Sequence, residues 1–94
     1  PETVLFDVER TQTRAEIASY LRTVAEKLEA GEPLTLASGS DTQTLEPPAS
    51  LTFEVKAERE GPASGPGELS VEFELEWPEN GGAEEATDAG LEIR

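Results

Sequence analysis

The stretch ELSVEFELEW, Glu68 to Trp77, alternates almost without fault. Leu69, Val71, Phe73, Leu75 and Trp77 fall on one parity, and Glu68, Ser70, Glu72, Glu74 and Glu76 on the other. Side chains of a strand point alternately to its two faces, so this pattern predicts a strand with one apolar and one acidic face. A second run of the same kind precedes it. In LTFEVKAER, Leu51, Phe53, Val55 and Ala57 alternate with Thr52, Glu54, Lys56 and Glu58. The segment between the two runs, EGPASGPG, is a loop by composition and too long for a two-residue turn. Two long alternating runs joined this way predict an antiparallel hairpin with one covered and one solvated face. If Val55 pairs with Phe73, then Lys56 lies opposite Glu72 and Glu54 opposite Glu74. The first pair attracts and the second repels.

Upstream, residues 14–30 read as the one helix. Thr13 and Glu16 have the spacing of a capping box. Ile17, Leu21, Val24 and Leu28 recur at helical spacing, with Tyr20 and Ala25 at the edges of the stripe. Gly31 fits a left-handed cap, and Pro33 prevents continuation. In TVLFDVE, Val4, Phe6 and Val8 alternate with Leu5, Asp7 and Glu9, which reads as a first strand. Leu5 breaks strict polarity, so that strand is expected to be partly covered on both faces or to sit beside a partner. After the helix, PLTLASGSDTQTLEPP reads as a short hairpin around SGSD, closed off by Pro47 and Pro48. The order is β-α-β-β-β-β: an α+β fold, with about five mostly antiparallel strands and one helix packed on one face. The domain is expected over residues 1–78. Beyond Pro78, low hydrophobicity and dense acid predict a disordered tail over 79–94.

Composition limits the chemistry. The chain has 94 residues, room for one domain with a small core. It has no cysteine and no histidine, which removes disulfides, thiolate metal sites and the commonest general base near neutral pH. No apolar run reaches membrane-spanning length and no leader pattern opens the chain, so the expectation is a soluble cytoplasmic protein without membrane contact. Asp plus Glu is 21 against 7 Lys plus Arg, a net charge of −14. Acid at this density repels itself in dilute buffer, and molar salt shortens the Debye length to about 3 Å and removes much of that penalty. The helix, with three bases and three acids, is neutral. An acidic, lysine-poor chain whose strands carry the acid points to a high-salt cytoplasm. Direct nucleic-acid binding, which needs clustered cations, is not expected.

These segments, TRAEIASYLRTVAEKLEAG, LTL, LTFEVKAERE and ELSVEFELEW, together resemble the amphi-Trp domain, a small domain met largely in halophilic archaea. The resemblance covers about residues 2–78 and rests most on the alternating strand that closes on Trp77. It implies a halophilic archaeal origin, in agreement with the charge. It implies no catalytic set.

The acidic row Glu72, Glu74 and Glu76 could bind cations through oxygen ligands, but a solvated face is the preferred reading, since no DxDxDG-like loop is present. A glycosidase pair needs a cleft, which exposed glutamates on a flat face lack. No serine or threonine has a histidine partner, neither lysine sits in an apolar setting, and no GK[ST] phosphate loop occurs. Trp77 either closes the core at the sheet edge, near Leu51, or anchors a partner; Tyr20, at the stripe's border, is the other candidate contact. The expected role is a non-catalytic protein-interaction or accessory module without a cofactor. Its partners would be an unknown protein or a second copy joined through a sheet edge. The alternative is a small-ligand or cation-binding domain.

Overall fold

The computed structural model describes residues 1–81 and 89–94. The chain forms two compact units, Pro1–Ala49 and Ser50–Arg94.

In the first unit, helix α1 spans Arg14–Ala30, the expected range. Both halves of the capping box form. The Glu16 backbone N–H donates to Thr13 Oγ1 at 3.2 Å, and the Thr13 N–H donates to Glu16 Oε1 at 3.2 Å. Two of the donors a helix start leaves unpaired are thereby satisfied. At the other end Gly31 takes φ 67°, a left-handed value that glycine reaches without a Cβ penalty. Its N–H donates to the Leu28 carbonyl, and the Glu32 N–H donates to the Lys27 carbonyl. Lys27 Nζ also holds Glu32 Oε2 at 3.1 Å, placing a cation at the negative end of the helix.

Strands β1 (Leu34–Ser38) and β2 (Asp41–Leu45) pair antiparallel from Leu34↔Leu45 to Ser38↔Asp41. Gly39, at φ 60°, takes the first place of the two-residue turn between them, the position where a type II′ turn demands glycine. Across this ladder the hydroxyls of Thr35 and Thr44 lie 3.0 Å apart and hydrogen bond.

The second unit is built on β3 (Thr52–Glu60) and β4 (Glu68–Glu76). They pair antiparallel in the register that sets Val55 opposite Phe73, Lys56 opposite Glu72 and Glu54 opposite Glu74. The connecting loop is held from inside. Arg59 Nη2 donates to the carbonyls of Pro62 and Gly65, each at 3.0 Å. Gly67 passes so close to the Glu60 carbonyl that a Cβ there would sit 2.5 Å from its oxygen.

The α+β class and the antiparallel pairing agree with the sequence reading; the strand count does not. The described strands number four rather than about five, in two separate two-stranded sheets. Residues 4–9, expected as the first strand, form no ladder, and the chain bends at Leu5. Alternation gives a segment two faces, but a strand also needs a backbone partner, which the pattern cannot supply. Pro47 and Pro48, lacking N–H groups, separate the two hairpins, as expected. The anticipated core beneath a single helix is also absent within each unit. No described side chain is buried.

Part of the acidic tail, residues 82–88, lies outside the described residues. Beyond it Leu91 and Ile93 are exposed, and Arg94 pairs with Glu92 at 2.8 Å. No described helix is long and apolar enough to cross a membrane.

Candidate functional site

Two surfaces carry the functional candidates, one in each unit. The first is the long hairpin. Its register gathers Phe53, Val55 and Ala57 with Val71, Phe73 and Leu75 on one face. The rings of Phe53 and Phe73 stack with centroids 6.2 Å apart and planes 10° apart. This apolar face stands open: Phe53 is 44% exposed, Phe73 48% and Val71 59%. Leu75 and Val55 are half-buried.

On the opposite face, Lys56 is the only cation amid glutamates. Its Nζ lies 3.1 Å from Glu58 Oε1 and 3.5 Å from Glu72 Oε2. The hydrogen bond and charge of Glu58, and then the charge of Glu72, hold the Lys56 ammonium above its ordinary pKa. Glu54 and Glu74 face each other directly, with like charge. Among the described residues no three carboxylates converge into a group that could hold a metal ion. Glu72, Glu74 and Glu76 point the same way as a row and do not close around a point.

Trp77 follows β4 by one residue and is half-buried beside Pro78. The ladder closes with Thr52↔Glu76, so Leu51 and Trp77 both lie just beyond its last pair. Thr52, Glu76, Trp77 and Pro78 line a shallow cleft of about 90 Å³. This is the end of the apolar row, half-covered and half-open.

A second concave surface lies in the Pro1–Ala49 unit, with a volume of about 500 Å³. It is lined by Phe6, Val8, Arg10 and Gln12, at period two, together with Tyr20 of α1 and residues 35–38 of β1. Gln12 Nε2 donates to Tyr20 Oη at 3.3 Å and to Glu16 Oε2 at 3.4 Å. The same Glu16 carboxylate has its pKa lowered, first by the Thr13 backbone N–H and then by the Thr13 hydroxyl, with smaller help from Gln12 and Arg10. The sequence reading shows Tyr20 at the stripe edge and the row of Val4, Phe6 and Val8, but not the continuation of that row through Arg10 and Gln12. The even parity of Phe6, Val8, Arg10 and Gln12 was the available signal, since it continues past the apolar residues into polar ones.

Trp77 and Tyr20, the two contacts anticipated together, therefore belong to different surfaces, each in its own unit. Both surfaces combine exposed apolar side chains with a few polar groups.

Comparison with the curated proteins and with the solved structures finds no match. Comparison with protein families finds one, the Amphi-Trp domain, whose model matches residues 1–94. The match takes in the capped helix, both hairpins and the tryptophan that ends the alternating strand. The chain belongs to the Amphi-Trp domain family.

Proposed function

We propose that this chain is a non-catalytic protein-interaction or accessory module of a halophilic, archaeal cytoplasm. One observation carries the reading: the β3–β4 hairpin joins an open apolar row to an acidic row of solvated carboxylates. Open apolar rows of this kind mark surfaces that another molecule covers. The acidic row keeps the uncovered face hydrated and discourages indiscriminate association. The half-burial of Trp77 at the end of the row supports its role as the anchor of such a contact. The net charge of −14 supports the high-salt setting, where screening removes most of the mutual repulsion.

The test is capture of partners from extract of a halophilic archaeon in molar KCl, comparing the wild-type chain with Phe73→Glu. The expected result is a protein retained by the wild type and lost by the variant, while Glu74→Gln on the opposite face retains it. Equal retention by all three would remove the hairpin from the proposal.

The concave surface lined by Phe6, Tyr20 and Leu36, with Arg10 and Gln12 at hand, favours a second reading as a small-ligand site. A cation site on the glutamate row has no converging ligand group to support it. Calorimetric titration with calcium separates this from the main reading, since a stoichiometric, saturable site would establish cation binding.

A further inference from the structure

The Pro1–Ala49 unit contains a strand pattern without a ladder. Among the described residues, residues 1–10 make no backbone–backbone hydrogen bond. The side chains of this segment are nevertheless set as on a strand, because Phe6, Val8, Arg10 and Gln12 enter one concave surface at period two. Such a backbone, without a ladder partner among the described residues, offers its N–H and C=O groups to another strand.

Which strand fits is written in the segment itself. Its even row reads Glu2, Val4, Phe6, Val8, Arg10: an acid, three apolar residues, a base. Turned end for end about Phe6, the row is complementary to itself. Antiparallel pairing of two copies about a two-fold axis at Phe6 opposes Phe6 to Phe6, Val4 to Val8 and Glu2 to Arg10, twice over. The odd row then opposes Thr3 to Glu9 and Leu5 to Asp7, so no like charges face each other. A slip of two residues in one direction opposes Asp7 to itself. A slip of two in the other sets Glu2 against Val8 and takes it away from Arg10. A slip of one sets Val4, or Val4 and Phe6, against acids, whereas the register about Phe6 keeps the even row matched and opposes only Leu5 to one. The charges therefore select one register, as directly opposed pairs do in antiparallel ladders.

We infer that residues 2–10 form an intermolecular antiparallel ladder with the same residues of a second copy, making the chain a two-fold symmetric dimer. The interface is isologous: each copy gives and receives the same contacts. This rests on the interaction-module reading and names one partner within it. Pairing straightens the bend at Leu5 and extends the apolar row of each copy by that of its neighbour. Because each chain carries −14, the dimer forms in high salt and dissociates as salt is removed.

The chain has no cysteine, so single cysteines report the register cleanly. Full-length F6C, L5C and D7C are oxidised gently in 2–4 M KCl, about the range where screening is short. Non-reducing gels give the dimer fraction, and circular dichroism checks that α1 is intact. The expected result is self-cross-linking of F6C faster than of L5C or D7C by about tenfold or more, because register converts collision into proximity. Mixed V4C and V8C chains should cross-link to each other in preference to themselves. Comparable rates for L5C and F6C overturn the register. Cross-linking of F6C to L36C in place of itself overturns the pairing and assigns the segment to the β1 edge instead. A wild-type chain that sediments as a monomer in the same salt overturns the dimer, and hairpin capture of a different protein would then leave the wider reading standing. At the lowest salt that supports the dimer, Glu2→Arg and Arg10→Glu should each weaken it and their combination restore it. A double variant no stronger than either single one counts against the charge pairs.

Discussion

Phe53 and Phe73 stack diagonally across the long hairpin, each standing opposite an aliphatic residue, Leu75 and Val55 respectively. The diagonal arises from register. In a twisted antiparallel pair, side chains two positions off the direct partner remain within reach of aromatic rings. The stacked pair ties the two strands together across the apolar row. A double-mutant cycle on Phe53→Ala and Phe73→Ala, read by urea unfolding in high salt, should give a coupling of about 0.5–1.5 kcal/mol. Half-exposure of both rings favours the lower end. Additive single effects would mean the stacking contributes nothing beyond separate burial.

Removing the helix cap should fray α1 from its start. Thr13→Ala is expected to cost about 0.5–2 kcal/mol and to lower helical ellipticity. Thr13→Ser, which keeps the hydroxyl, should restore most of it. An alanine variant as helical as wild type would contradict the cap's role.

Acid should act at the same place. The Glu16 carboxyl is held below the ordinary glutamate range, first by the Thr13 backbone N–H and then by the Thr13 hydroxyl. A group with a lowered folded pKa contributes fully above its unfolded pKa, and its contribution fades as pH falls through the folded value. Helix stability should therefore decline below the usual carboxylate range. That decline should be shallower in Glu16→Gln, as measured by ellipticity between neutral and strongly acidic pH.

Lys56 offers a salt-dependent test. Lys56→Gln leaves Glu58 and Glu72 without their cation while Glu54 and Glu74 still oppose each other. Its thermal midpoint should fall below wild type in dilute buffer, and the gap should close in molar salt as screening shortens. Lys56 itself has a raised pKa, so its contribution is present below the ordinary lysine range and lost as pH rises through the higher folded value. A gap that persists unchanged at molar salt would point to packing of the lysine stem instead.

Gly67→Ala should disturb the hairpin loop more than Gly31→Ala disturbs the helix end. At Gly67 a Cβ meets the Glu60 carbonyl oxygen at 2.5 Å and the Arg59 guanidinium at 3.1 Å, so backbone must move and the bonds from Arg59 to Pro62 and Gly65 are strained. Around Gly31 a Cβ meets nothing, and only the positive φ is penalised, by about 1–2 kcal/mol. Comparison of the two unfolding midpoints checks the order.

Local chemistry was legible in the sequence wherever a few neighbouring residues decide the outcome. The capping box and glycine at its ends bounded α1, and the matching parities of the two long runs placed Val55 against Phe73. Residues 4–9 form no ladder because alternation describes faces and supplies no backbone partner. Tyr20 was legible as a stripe-edge residue, yet its company with Phe6, Val8 and Arg10 depends on how the chain turns before Thr13. Periodicity holds no information on that turn.

Trp77 has one further consequence. It is the only indole in the chain, and it sits one residue past the last rung of the long hairpin, beside Pro78. Its emission is thus a label-free gauge placed where the ladder begins to open. Fraying at that end wets the ring and shifts the spectrum to the red; a molecule laid over the row dries it and shifts the spectrum to the blue. Such a protein carries its own dye.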